Sequence, residues 1–252
     1  MELCYLAAFL VGLVLGSFYN VLIYRLPRGE PVVFTRSRCP HCGRTIPWHD
    51  NLPLISFVLL KGKCRFCSGP ISLRYPLVEL GSGLLAVLSC YLYGLTLEAV
   101  YHYLFFSYLL IVALTDWLYF VIPPVLSVGS TILFLLLSFF RPSVTPAQAF
   151  TGAALGLGLV LLIYAYYRLV RKVEGIGLGD GLLLASVGAF GGPLLVFYAL
   201  LIGSVTGLLY ALPLLVKHRS TQFVLPFGPF LALGAFLGTL FKDELTALLL
   251  GV

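Results

Sequence analysis

Long apolar runs recur along the chain, separated by short polar breaks, and the pattern predicts helices near Tyr5–Tyr24, 76–93, 97–115, 121–140, 147–170, 181–191, 193–216 and 226–250. Most of these runs fall in the range of roughly 18–25 residues that a helix needs to cross a hydrocarbon core about 30 Å thick. The sixth run is shorter and ends at Gly191-Gly192-Pro193. At 1.5 Å per residue a dozen residues reach only about 18 Å, so this run is either half-inserted or longer than the pattern indicates. The first run has no small-residue cleavage site near its end and is expected to be retained as a span. The expected fold class is an all-α polytopic membrane protein of about eight transmembrane helices. One sizeable polar segment, residues 25–75, interrupts it after the first helix.

Composition supports that solvent. The 252 residues are 60% hydrophobic and only 10% charged, where soluble domains carry about a quarter charged residues, and the mean hydropathy is +1.02. Fourteen of the sixteen Lys and Arg fall in residues 25–74, in Arg168 to Lys172, and at Lys217 with Arg219. With eight spans those places share one side, and the positive-inside rule makes it the cytosol. The net charge of +6 comes largely from the polar segment, so it gives no reason to expect a nucleic-acid partner. The expected organisation is a first helix (1–24), a cytosolic segment (25–75) and a membrane domain of about seven helices (76–252).

The cytosolic segment holds Cys39-Pro40-His41-Cys42-Gly43 and Cys64-Arg65-Phe66-Cys67-Ser68, two C-x-x-C pairs with 21 residues between them. Two such turns bring four thiolates onto one tetrahedral zinc. A reducing compartment disfavours disulfides, and a segment of about fifty residues has too little core to stand without a staple. A redox dithiol and a metal-free site are the alternatives. His41 and His49 are read as solvated residues, because Cys39, Cys42, Cys64 and Cys67 already fill the shell. Cys4 and Cys90 lie in apolar helices and are read as packing. The basic residues of this segment suit anionic membrane lipids.

Two aspartates stand out. Asp180 follows Gly175-Ile176-Gly177-Leu178-Gly179 and opens an apolar run, while Asp116 closes the third helix just before Pro123-Pro124. A carboxylate bordering a hydrophobic helix is a functional candidate by default. A phosphate-cradling loop is a poor alternative for the glycine run, since no strand precedes it and Asp180 would repel the phosphate. A plain helix N-cap is the bland one. Both aspartates are expected at the cytosolic face, where together they would form an aspartic-protease dyad that shares one proton. The glycines Gly175, Gly177 and Gly179 would then give an unwound substrate a path free of side chains. The bland alternative for the pair is two interfacial aspartates without contact.

Further motifs extend over nearly the whole length. They include Gly16-Ser17-Phe18-Tyr19-Asn20-Val21 with Arg25-Leu26-Pro27, Ile46-Pro47-Trp48, and Asn51-Leu52-Pro53-Leu54-Ile55-Ser56. Ile71 to Leu80 and Leu225-Pro226-Phe227-Gly228-Pro229 continue the series. In order and spacing, with both cysteine pairs and both aspartates, the chain resembles the bacterial type IV prepilin leader peptidases, a branch of the GxGD membrane aspartyl proteases. The resemblance implies that Asp116 and Asp180 are the catalytic pair. It implies removal of the basic leader from type IV prepilins or type II secretion pseudopilins after a glycine. It also implies methylation of the new N-terminus with S-adenosylmethionine, at a cofactor site that the sequence does not reveal. Two positions depart from the family pattern: Leu182 stands where a lysine is usual, and Pro124 where an aspartate is common. A peptidase without methyltransferase activity, a transporter built on broken helices, and a non-catalytic scaffold of a pilus or secretion machine are the competing readings.

Overall fold

The computed structural model describes residues 2–33, 36–172, 177–218 and 225–250, and among these every regular element is helical. The chain divides into two compact units, Met1–Ser107 and Tyr108–Val252. The helices are α1 (Glu2–Arg25), α2 (Ile55–Leu59), α3 (Arg74–Tyr93), α4 (Leu97–Tyr119), α5 (Pro124–Leu137), α6 (Pro146–Tyr166), α7 (Leu178–His218), α8 (Gly228–Leu240) and α9 (Lys242–Leu250). Among the described residues five helices are long and apolar enough to cross a membrane: those beginning at Glu2, Arg74, Leu97, Pro146 and Leu178. Helices α5 and α8 are apolar but shorter.

In the first unit α1 lies directly on α3. A Cβ built on Gly12 would stand 2.7 Å from Gly83 Cα, and one on Gly16 would stand 2.7 Å from Glu79 Cα. This is the small-xxx-small contact that lets membrane helices pack by close van der Waals approach. Two buried polar side chains in this apolar setting reach backbone carbonyls, which offsets their desolvation. Ser82 Oγ donates to the Gly12 carbonyl at 2.7 Å. Asn20 Nδ2 donates to the Tyr75 carbonyl at 3.1 Å.

In the second unit α6 and α7 meet backbone to backbone. Gly152 and Gly188 are so close that a Cβ on either would collide with the other's carbonyl oxygen. A capping box at Thr145 and Gln148 starts α6. Helix α7 is kinked at Gly192, where φ is 77° and Pro193 follows. The break separates a first half, which carries Asp180, from a second half that continues to His218. Arg141 donates from Nη1 to the carbonyl of Phe190, close to the end of the first half. A cation at that end also complements the helix dipole. Hydroxyls tie α4, α5 and α7 together: Tyr108 donates to Ser127 Oγ at 3.1 Å, and Ser186 donates to the Ser127 carbonyl at 2.9 Å.

If the two halves of α7 are taken separately, the described residues hold eight apolar helical segments, in line with the expected number. Two boundaries differ from the hydropathy pattern. The sixth segment starts at Leu178 rather than 181 and joins the next across the Gly192 kink, so it is no isolated half-helix. The expected helix at 226–250 is broken at Phe241 into α8 and α9. The charged run Lys242-Asp243-Glu244 begins the second piece, because apolar periodicity cannot continue through it.

The Gly152–Gly188 contact gives a direct expectation. Gly188→Val should destabilise the detergent-solubilised protein by about 3 kcal/mol, the upper end of ordinary overpacking. Gly158→Ala, on the same α6 but with nothing within 4 Å of the added Cβ, should be neutral or stabilising by up to about 1 kcal/mol. Thermal or denaturant melts of the two variants check the contrast.

Candidate active site

Asp116 sits in the last turn of α4, where the preceding apolar run ends. Its carbonyl accepts the Phe120 amide at 2.8 Å, and Phe120, at φ 55°, takes the chain out of the helix. Pro123 then caps α5 and Pro124 fills its first position, a place where a missing N–H costs nothing. Asp180 lies in the first turn of α7, with its amide donating to the Gly177 carbonyl at 3.1 Å. An acid in a first turn is favoured by the positive end of the helix dipole.

Ile122 and Gly228 join the two aspartates. A Cβ on Gly179 would stand 2.9 Å from Ile122 Cβ, and one on Gly228 would stand 3.1 Å from Ile122 Cδ1 and 2.8 Å from Asp116 Oδ2. The Gly228 amide donates to that same Asp116 oxygen at 2.8 Å. Residues from α4, the α4–α5 turn, the start of α7 and the start of α8 therefore converge. Asp116 comes within Coulombic reach of Asp180. Asp116 is only 7% exposed, and Asp180 is half-buried. Among the described residues no lysine or arginine forms an ion pair with either carboxylate.

Of the three glycines singled out in the sequence, Gly177 is exposed and stands near Asp180, and Gly179 packs on Ile122. Gly175 lies outside the described residues. Leu182, at the position where the resemblance leads one to expect lysine, is half-buried on α7, and its carbonyl accepts from Ser186 Oγ. Gly228 and Ile122 were not singled out individually. The signal for Gly228 was its place in the Pro226-Phe227-Gly228-Pro229 run, between two prolines that leave few amides free to donate.

The second cluster is in the 25–75 segment. Cys39, Cys42, Cys64 and Cys67 bring their sulfurs within 4.8 Å of one another, and Cys39 Sγ is 3.9 Å from Cys67 Sγ. A tetrahedral zinc with Zn–S bonds of about 2.3 Å needs sulfur separations of about 3.8 Å, so the donor set fits one ion. The two turns repeat each other. The Cys39 amide donates to the Arg44 carbonyl and the Cys64 amide to the Gly69 carbonyl; Gly43 and Ser68 then return their amides to the carbonyls of Cys39 and Cys64. Gly43 and Ser68 both hold left-handed φ values, 70° and 57°. The Cys67 and Phe66 amides bring the Cys64 thiol down to about 6. Cys67 goes up to about 11: the Gly69 amide holds it down, but desolvation and the Cys42, Cys64 and Cys39 thiols outweigh that. His41 is no ligand; its Nε2 bonds the Pro70 carbonyl at 3.2 Å, linking one turn to the other.

Residues 10–93 match the bacterial peptidase A24 N-terminal domain, and residues 103–212 match the type IV leader peptidase family. The prepilin leader peptidase/N-methyltransferase of Pseudomonas putida is 35% identical over 95% of this chain and 91% of its own length. The chain belongs to the type IV leader peptidase family. Family relatives of the same name include those of Pseudomonas aeruginosa, 33% identical over 96% of this chain and 91% of its own, and Klebsiella pneumoniae, 39% identical over 72% and 82%. No solved structure gives a significant match.

Two expectations follow from this geometry. Gly228→Ala should push the Asp116 carboxylate off its amide and, if Asp116 takes part in the chemistry, lower peptidase turnover by about tenfold or more, while the melting temperature changes little. The purified protein should carry about one divalent metal per chain, and occupancy should fall as pH is lowered, because protons compete for the four thiolates. Metal analysis of the wild type, Cys39→Ser and Cys64→Ser checks this, with both variants expected to lose metal and melt earlier.

Proposed function

We propose that Asp116 and Asp180 are the catalytic pair of a membrane aspartic endopeptidase that removes the leader from type IV prepilins or type II secretion pseudopilins. The observation that carries this reading is the convergence of two carboxylates, with no paired cation among the described residues, at the ends of two apolar helices. Family membership supplies the reaction: leader-peptide cleavage followed by N-methylation of the new terminus. One carboxylate, ionised, takes a proton from water as the water oxygen attacks the scissile carbonyl carbon. The other, protonated, hydrogen-bonds the developing oxyanion. When the tetrahedral intermediate collapses, the C–N bond breaks and the acquired proton passes to the leaving amine. The Gly228 amide keeps Asp116 in one rotamer through this sequence.

Gly177, exposed beside Asp180, would open a path for an extended substrate strand, which Gly179 would border with its side away from Ile122; Gly175 lies outside the described residues. A helical prepilin segment hides its peptide bonds and must unwind to be cut, and a path without side chains admits its backbone. The four cysteines hold a structural zinc. With four protein ligands the ion has no open position for substrate or water, so it staples the 25–75 segment and takes no part in hydrolysis. The clustering of basic residues supports an inner-membrane orientation with residues 25–75 and both aspartates at the cytosolic face. S-adenosylmethionine is the methyl donor. The described residues hold no glycine-rich loop on a strand to cradle it, and no residue is assigned to it. Membership of the family disfavours the transporter and scaffold readings.

Asp116→Asn and Asp180→Asn should each reduce cleavage of a purified prepilin by at least about 10³-fold, the scale of losing a group that acts as one unit with its partner. Melting temperature and substrate binding should stay near wild type. Mass spectrometry of the product with a parallel binding assay reads both effects, and normal turnover by either variant would refute the dyad. Gly177→Val should weaken substrate engagement with both acids intact; normal turnover there would refute only the glycine path.

A further inference from the structure

Helix α2 is inside-out for water. It buries Ser56, 7% exposed, and presents Ile55, Val58 and Leu59 at 57%, 72% and 75% exposure, next to Trp48 at 80%. Ser56 ties the pieces into one unit: its hydroxyl donates to the His49 carbonyl at 3.0 Å and accepts the Leu52 amide at 3.0 Å. The 3-10 turn Trp48–Asn51 and α2 therefore move together. Polar contacts turned inward and aliphatic groups turned outward are the arrangement expected of an element in an apolar solvent.

Its position along the membrane helices is fixed. The Leu54 amide, at the start of α2, donates to Glu79 Oε2 at 2.9 Å. Glu79 lies five residues inside α3, which begins at Arg74, so α2 starts about 7 Å along the axis of a spanning helix. Leu54 holds a left-handed φ of 58° to make this contact, a conformation costly for a residue with a Cβ and kept only where the surroundings enforce it. On α3, Leu77 and Leu80, within two residues of Glu79, are exposed as well. Lys61 and Lys63 follow α2 directly and are exposed. Tryptophan with flanking lysines is the composition of the membrane–water boundary, and the lysines suit anionic headgroups.

We propose that the Trp48–Leu59 unit is an interfacial anchor whose occupant is the bilayer itself, with Trp48, Ile55, Val58 and Leu59 seated among headgroups and upper acyl chains. It would set the metal-binding turns at the membrane surface, where the four-cysteine segment could not drift from the spans.

The chain has two tryptophans, and Trp117→Phe leaves Trp48 as the single reporter. The full-length protein is reconstituted in vesicles of phosphatidylcholine and phosphatidylglycerol, some brominated near the headgroup end of the acyl chain. Trp48 emission should be blue-shifted, quenched about twofold or more by the shallow bromines, and shielded from aqueous iodide, as expected for a boundary indole. Val58→Glu with Leu59→Glu should cut that shallow quenching several-fold while helix content by circular dichroism stays unchanged. Three results would each overturn the proposal. Iodide quenching without bromolipid quenching means the unit faces water. A blue shift without bromolipid quenching means protein covers it. A blue shift that appears only when a prepilin is added means the surface docks substrate.

Discussion

A carboxylate among apolar helices needs a donor to hold it in place, and for Asp116 that donor is the Gly228 amide, 2.8 Å from Oδ2. The rest of the site depends on this bond. It requires that α8 begin beside the end of α4, and that residue 228 lack a Cβ, which would meet the same oxygen at 2.8 Å. Ile122 must also fill the gap between Gly228 and Gly179. An arginine or lysine would satisfy the charge too, but it would pair the acid, and the proposed proton-sharing pair needs it unpaired. Backbone is the donor that stabilises the carboxylate while adding no charge.

The scaffold behind the site follows from what a bilayer withholds. Lipid is as apolar as leucine, so helices gain little by burying leucine against each other, and close approach of small residues takes over. Gly152 against Gly188 and Gly16 against Glu79 are the contacts of this kind in the two units. Polar side chains drawn inside find backbone partners: Ser186 reaches the Ser127 carbonyl and Arg141 Nη1 the Phe190 carbonyl. The second of these lies near the Gly192 kink, where a helix end loses its continuation and its carbonyls need donors. A break in α7 is therefore supported by a cation from another element rather than left open.

The 25–75 segment solves a different problem. It is too short to build a core, and its order rests on two repeated turns that place four sulfurs within reach of one ion. The residue after each second cysteine fixes its turn: Gly43 and Ser68 take equivalent left-handed conformations and return equivalent hydrogen bonds. Asp50 accepts both Arg65 nitrogens, at 2.6 and 2.7 Å, and joins the second turn to the 3-10 turn before α2. The cysteine turns, the Asp50–Arg65 ion pair and the Leu54–Glu79 bond thus link the segment step by step to the spanning helices.

Local chemistry alone determined a good deal. Apolar run length fixes the number of helical segments, the C-x-x-C pairs fix the metal ligands, and the glycine run and the Pro-Pro break mark Asp180 and Asp116 as acids at helix ends. These are short-range properties, read from neighbours a few positions apart. Helix boundaries at Leu178 and Phe241 were less legible, because hydropathy is nearly uniform across a membrane run and says little about where a cap or kink falls. What only the tertiary structure decided is which distant residues meet: Gly228 with Asp116 across 112 positions, Ile122 beneath both Gly179 and Gly228, and Leu54 on Glu79. Each rests on one hydrogen bond or one missing Cβ, and such a contact leaves no periodicity in the chain. Sequence distance carries no information about it until the helices have packed.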